Sequence, residues 1–416
     1  MRHVVITGLG VCVPTKRSPD NLFQALFNQE SLIHKDSRLE SFGIHDFVCA
    51  AMQASDLSYL DEHYPELAKH NVSTSGKMAY HALIEAKNQA GLEVGAHSDR
   101  CGLFFGVNKN LISPEQIHRM YMMAQDSAPA SYDGQTDYLP HRPDAIVKVM
   151  SEKLQVNQPI LVCSDACAAG SSNILAGMRR IRNGDLDVAF CGAADEGSQP
   201  MMQLVFHKIG AVGTPVFSDP QKVCRPFDKE RNGCVLADGA AFLVLEAEET
   251  ALARGAQILA RLSGGSRGSE AYKITASKPD GSYYALAMQQ ALNDAHLTCD
   301  EIDHINAHGT ATKSNDAAEG RAIHQLFKDH QVPVTSTKSA LGHSLAGSGA
   351  LEAVLSVLSL NAQKILPTLN YTGPAEGEAE LNIVSQPCSA KMDHILSNSF
   401  GFGGLNTSLI FSRGDI

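Results

Sequence analysis

The apolar run Ile160-Leu161-Val162-Cys163 is followed at once by small residues. Apolar positions at helical spacing come next, Ile174, Leu175, Met178 and Ile181, with Asn183-Gly184 as a stop signal. Few arrangements satisfy such a stretch except a buried strand that turns sharply into a helix. The turn residue, Cys167, then lies at the helix N-terminus, where unpaired N–H groups and the helix dipole favour a thiolate. Ala166, Ala168, Ala169 and Gly170 let another chain or a substrate approach the sulfur. This is how a nucleophile is presented, and the competing interpretation is one more buried structural cysteine. Cys163 falls inside the apolar run and is expected to point into the sheet. The Cys-x-x-x-Cys spacing suits neither a Cys-x-x-Cys redox pair nor a usual zinc pair.

Strands and helices alternate along the rest of the chain. Residues 4–10 read as a strand running into a glycine turn at Gly8 and Gly10. The third glycine of a dinucleotide fingerprint is missing there, and Pro14 interrupts the helix start. Helices are expected over 21–27 and 75–90, and strands over 102–107, 188–192 and 239–246. After an Ala- and Glu-rich helix over 246–255 the plan starts again. Strands over 258–262, 302–306, 332–336 and 407–411 are interleaved with helices over 284–295, 317–327 and 347–360. This alternation implies an α/β fold with mostly parallel sheets covered by helices, in two halves, 1–250 and 251–416. The pattern loosens over 113–143, where Met120, Met122 and Met123 precede a Ser-, Pro-, Asp- and Gly-rich run. Such an excursion suits a cap or an interface segment.

Composition narrows the partners. Lys and Arg number 34 against 45 Asp and Glu, a formal charge of −11, which argues against nucleic acid. Ten cysteines are scattered without regular spacing and no signal peptide is seen, so a reducing cytoplasm is the expected location. The longest apolar helical segment, 351–360, carries Glu352 and is too short to span a bilayer, so no membrane is expected as a partner.

Three loops in the second half sit where ligands collect in α/β proteins, at strand C-terminal ends. They are Asn306-Ala-His308-Gly-Thr310-Ala-Thr312 running on to Asp316, Thr337-Lys338 leading to Gly342-His343, and Ser399-Phe400-Gly401-Phe402-Gly403-Gly404. The charged loop 224–234 carries Asp228 and Arg231, which read as structural charges.

Together with Ala166-Cys167-Ala168, Arg225-Pro226-Phe227-Asp228 and Asp238-Gly239-Ala240, these motifs resemble the elongating β-ketoacyl-[acyl-carrier-protein] synthases of the thiolase superfamily over essentially the full length. The resemblance implies a thiolase-like five-layer αβαβα fold of two similar halves, a dimer, and a Cys167-His308-His343 triad. It implies decarboxylative condensation of malonyl-ACP with an acyl group on Cys167, giving a 3-oxoacyl-ACP. The backbone N–H groups of Cys167 and Phe402 hold the oxyanion, and Phe400 and Phe402 gate the pocket on Gly401, Gly403 and Gly404. Lys338 is a charge near the histidines, and Glu352 is expected to orient its helix or His343. Thr310 and Thr312 match positions that bind the phosphopantetheine arm. No metal, nucleotide or other cofactor is required, since the substrates ride on the acyl carrier protein. Lys69, Lys109 and Lys208 are candidates for its docking.

The sequence departs from the family pattern at Asp165, Lys273, Ala237 and Lys16. None belongs to the triad, but together they weaken assignment to housekeeping fatty-acid elongation. A ketosynthase subunit of a type II polyketide or polyene system, paired with a chain-length factor, is therefore the alternative to a homodimer. A non-catalytic chain-length factor normally lacks the cysteine. A coenzyme A thiolase needs a second cysteine motif, and Cys388 stands in none.

Overall fold

The computed structural model describes residues 2–38, 40, 45, 47–70, 72–93, 98–108, 143–156, 159–214, 219–328 and 330–415. Lys109 and the excursion with Met120, Met122 and Met123 lie outside the described residues.

The first half contributes β1 (Val4–Cys12), β2 (His34–Asp36), β3 (Phe47–Ala50), β4 (Cys101–Gly106), β5 (Ile160–Cys163), β6 (Val188–Glu196) and β7 (Leu236–Ala247). Its helices are α1 (Pro19–Phe27), α2 (Ala54–His63), α3 (Thr74–Ala90), α4 (Pro143–Leu154), α5 (Ala169–Arg182), α6 (Pro200–Lys208) and α7 (Glu248–Ala253). The second half contributes strands β8 (Ala260–Ser269), β9 (His304–Asn306), β10 (Pro333–Thr335), β11 (Lys364–Ile365), β12 (Asn382–Ile383), β13 (Cys388–Ser389), β14 (His394–Gly401) and β15 (Leu405–Ser412). Its helices are α8 (Ser282–Ala295), α9 (Lys313–Phe327), α10 (Lys338–Leu341) and α11 (Ser348–Ala362).

Strand order shows the duplication directly. The first sheet runs β5-β4-β6-β7-β1 and the second β10-β9-β14-β15-β8, so both place their main strands in the same spatial order. In each, the first two neighbouring pairs are parallel and the last two antiparallel. The sheets are therefore mixed, not mostly parallel as alternation alone suggests. The return strands β7 and β15 are long and almost entirely buried, and the alternation rule carries no information on their direction. The halves are joined edge to edge by two residue pairs, Val5↔Arg261 and Ile6↔Ala260. Helix α3 covers the outer face of the first sheet and α8 and α9 that of the second, while α5 and α11 pack on each other between the sheets. That gives the five layers.

Several local expectations change. β1 continues as a strand through Gly8 and Gly10 with no turn, its register against β7 shifting only between Ile6 and Gly8. The glycines are there because α3 lies on the strand: a Cβ at Gly8 would sit 2.1 Å from the Ala86 carbonyl oxygen, and one at Gly10 1.9 Å from that of Ala82. Gly264 of β8 meets α8 in the same way, its Cβ position 2.8 Å from the Ala291 carbonyl oxygen. Because backbone cannot yield as a side chain does, Gly10→Ala is expected to cost about 3 kcal/mol. The measurement is the urea midpoint of unfolding, and an unshifted midpoint would contradict this packing.

β5 is not a buried strand but the edge of its sheet, with Ile160 and Leu161 39% and 41% exposed and Cys163 half-buried. β14 has no counterpart in the sequence reading; it pairs with β15 so that Ser399, Phe400 and Gly401 end a strand. The apolar helical run extends over Leu345–Ala362, 18 residues of which 83% are buried. Its length suits a bilayer, but its place is between the two sheets.

Candidate active site

The turn that carries Cys167 is a 3-10 turn, Ala166–Ala168, ahead of α5, with Ala166 at φ +48°. Cys167 thus sits just before the long helix instead of at its first turn, and is only 6% exposed. Burial pushes its thiol up to about 11; the Lys338 charge and the backbone N–H groups of Phe402 and of Cys167 itself pull the other way. The resting thiolate expected from the helix terminus is therefore outweighed by desolvation in the closed site.

His308 follows β9. Its backbone N–H and that of Gly309 donate to the two oxygens of Glu319, each at 2.8 Å, which fixes the loop against α9. Its Nδ1 lies 3.4 Å from Lys338 Nζ. An ammonium only donates, so Nδ1 accepts and the ring proton belongs on Nε2. His343 follows α10 and is tied to the first half, donating its N–H to the Val235 carbonyl at 2.6 Å. Its Nδ1 is 2.8 Å from Ser348 Oγ. The rings are 5.4 Å apart and nearly perpendicular, at 83°. Burial first, then the Lys338 charge, holds both imidazoles well below the usual histidine range, so both are neutral.

Lys338 is fully buried, donating to the His308 carbonyl at 2.6 Å and to the Glu352 carboxylate. Glu352 thus holds Lys338 and not His343: Ser348, one turn earlier on α11, occupies the position beside that ring. Burial raises the Glu352 carboxyl to about 7 despite its ammonium partner.

The Thr310 and Thr312 hydroxyls pair at 2.9 Å. Buried Asp316 fixes their loop by accepting from the N–H groups of Thr310 (3.0 Å), Ala311 (3.1 Å) and Phe227 (2.7 Å). In the glycine loop Phe400 stacks on Tyr284 with ring centres 3.7 Å apart, and Phe402 lies 5.8 Å from Phe206. Gly403 and Gly404 adopt φ of +83° and +75°, and Gly403 N–H donates to the Ile274 carbonyl at 2.6 Å. A Cβ at Gly401 would lie 3.0 Å from the Asp165 carbonyl oxygen and 3.2 Å from the Cys167 nitrogen, so the glycine lets the loop pack closely on the turn that carries Cys167.

One cleft of about 530 Å³ is lined by Cys167, both histidines, both threonines, both phenylalanines and Gly404. Lys338 and Glu352 stand behind it. Glu319, Ser348, Tyr284 and Phe206 escaped the sequence reading. Glu319 had a signal, since it and Asp316 lie three apart at the start of a helix on the same side as the loop. The aromatic partners come from distant segments and had none.

The departures are also placed. Asp165 bridges to Arg267 of β8 at 2.7 Å, Lys16 to Glu30 at 2.8 Å, and Lys273 is exposed at the cleft rim. Ala237 packs 3.0 Å from where a Cβ on Gly342 would lie. Asp228 holds Arg225 at 2.8 Å and the Thr372 hydroxyl at 2.7 Å, and Arg231 holds Glu378 at 2.6 Å, all structural contacts. Lys69 and Lys208 are exposed.

Comparison with known proteins agrees with this geometry. Residues 1–251 match the signature described as "Beta-ketoacyl synthase, N-terminal domain", and residues 259–372 match its C-terminal domain. The chain is similar to the 3-oxoacyl-[acyl-carrier-protein] synthase 2 of Vibrio cholerae serotype O1, 33% identical over 424 residues and covering 99% of each protein. Among solved structures it resembles a type II PKS ketosynthase, in complex with its acyl-carrier protein and bound to the hexaketide (TM-score 0.86, 26% identity, 99% of each chain). It also resembles the ishigamide ketosynthase/chain length factor (TM-score 0.86, 28% identity, 99% of each chain).

Proposed function

The chain belongs to the β-ketoacyl synthase family, and from that membership we propose that it elongates acyl chains as a 3-oxoacyl-[acyl-carrier-protein] synthase. The observation that carries the reading is the meeting of Cys167, His308 and His343 in one cleft, with the Phe402 N–H on the sulfur.

The steps follow from the residue types. The Cys167 sulfur attacks the acyl thioester of the carrier protein, the C–S bond to phosphopantetheine breaks, and the thiol proton leaves with the departing arm by way of a neutral imidazole. The malonyl thioester then enters and loses CO2, the electron pair of the broken C–C bond forming an enolate. The Nε2–H of His308, and that of His343 when Ser348 donates to its Nδ1, stabilise the enolate oxygen. The nucleophilic carbon attacks the acyl–Cys167 carbonyl while the N–H groups of Cys167 and Phe402 hold the oxyanion. Collapse releases the Cys167 thiolate and the 3-oxoacyl-ACP. Because CO2 departure supplies the carbanion, the sequence of steps requires no metal or nucleotide. The paired hydroxyls of Thr310 and Thr312 receive the phosphopantetheine arm, and exposed Lys69 and Lys208 offer charge to an acidic carrier protein.

The β5 edge, which among the described residues pairs with β4 alone and exposes Ile160 and Leu161 beside the Cys167 turn, supports pairing with a second subunit. Ten free cysteines fit a cytoplasmic setting. The second reading is a type II polyketide or polyene subunit whose partner is a chain-length factor. The departure at Asp165, two residues before Cys167 and paired at 2.7 Å with the exposed Arg267, is the feature that favours it. Expression of the chain alone separates the two. A homodimer fully active on saturated medium-chain acyl-ACP ends the second reading. An inactive chain rescued by a co-expressed homologue lacking the cysteine supports it. In either case, the mass of the acyl group trapped on Cys167 from an acyl-ACP panel identifies the chain.

A further inference from the structure

The β14–β15 hairpin has two ends, with His394 paired to Ser412 at one and Gly401 to Leu405 at the other. The Gly401 end lies against Cys167. The opposite end, roughly 25 Å away at about 3.3 Å per residue, opens into a separate cleft of about 920 Å³. It is walled by the starts of β1 and β8 and the ends of α5 and α8, at the seam where two residue pairs join the half-sheets.

Its titratable lining is Arg2, Arg182, Arg261, His3, His296 and His394, with Asp294 as the one carboxylate. The guanidinium groups are held in place: Arg2 by Asp187 at 2.8 Å, Glu249 at 2.5 Å and the Leu186 carbonyl at 2.8 Å, Arg182 by Asp294 at 2.8 Å and the Ser263 carbonyl at 2.5 Å, and Arg261 by Glu248 at 2.6 Å. The Asp294 oxygen facing Arg182 also accepts from the Gly265 N–H at 2.9 Å, so it is already used. Arg261 spends only Nη2 on Glu248, and its Nε is buried with no partner. Ser263 donates to Ser412 Oγ at 2.6 Å, which frees the Ser412 proton for His394 Nδ1 at 2.8 Å and leaves the ring proton on Nε2. Among the lining residues the unspent groups include donors: the Arg261 Nε–H and Nη1–H groups and the His394 Nε2–H. A pre-positioned guanidinium fork with added N–H donors suits phosphate oxygens.

We propose that this cleft binds a small phosphate-bearing anion, a diphosphate or phosphate monoester, and thereby braces the seam between the halves. Isothermal titration of the whole protein with sodium pyrophosphate, at ionic strength balanced with chloride, tests it. One saturable site with Kd below about 1 mM is expected. Arg261→Gln is expected to weaken binding about tenfold through loss of a charge-assisted bond. His3→Glu, at an exposed rim position, serves as the second variant and should weaken binding while leaving condensation activity and fold intact. Pyrophosphate should also raise the thermal midpoint of the parent and of Cys167→Ala alike. Absence of saturable binding, or binding undiminished in both variants, overturns the proposal.

Discussion

Cys167→Ala is expected to abolish acyl-enzyme formation and condensation together. Of the ten cysteines, Cys167 and Cys234 line the cleft, and Cys167 alone receives the Phe402 N–H and follows the strained Ala166 turn. The loss should reach the detection limit, because without the thiolate no covalent intermediate splits the reaction. Intact-protein mass spectrometry after incubation with acyl-ACP reads the result. A retained adduct on the variant, for instance at half-buried Cys163, would remove Cys167 from its role. The same experiment carries a pH expectation. With the resting thiol pushed up to about 11, alkylation of the parent by iodoacetamide should rise steadily through pH 7 to 10, about tenfold per unit.

His308→Ala and His343→Ala are expected to accept the acyl group but to lose malonyl decarboxylation by about 10²–10³ each. The two rings are neutral donors in a dry cleft, and each is positioned from behind by a different partner, Lys338 for one and Ser348 for the other. The readouts are the acyl adduct by mass and labelled CO2 release. Full CO2 release by either variant would mean that the enolate is held elsewhere. Because neutral imidazoles are the working forms, and burial holds both far below the usual range, decarboxylation should not fall as pH drops from 8 to 6 through histidine protonation.

Much of this site is legible in the chain because its parts are local. A strand, a turn of small residues and a helix specify where Cys167 stands. His-Gly and Gly-His loops at strand ends specify His308 and His343, and Phe-Gly-Phe-Gly-Gly specifies a loop needing positive φ. The supports were less legible. Ser348 lies five residues from His343, yet a serine on a small-residue helix carries no mark of it. Glu352 is expected to orient its helix or His343, yet it holds Lys338, because helical spacing tells which face a residue shares and not which neighbour its carboxylate reaches. Tyr284 and Phe206 reach the site only through chain pairing across long separations.

The fold divides in the same way. Hydrophobic periodicity located most elements, since burial of one face is a local property of the sequence. It misjudged the Gly8 and Gly10 region, because the close approach of α3 is a tertiary fact that a glycine answers in the same letter as a turn. It also misjudged β5, whose apolar residues are an edge in one chain. Thus the sequence by itself determined the groups we propose to react, the α/β alternation and the two-part plan. Only the tertiary structure decided strand direction, the seam between the halves and the protonation of the site. Those depend on which surfaces meet and how far water is excluded, and the desolvation that makes the imidazoles neutral and the Cys167 thiol weakly acidic exists only once the two halves close around them.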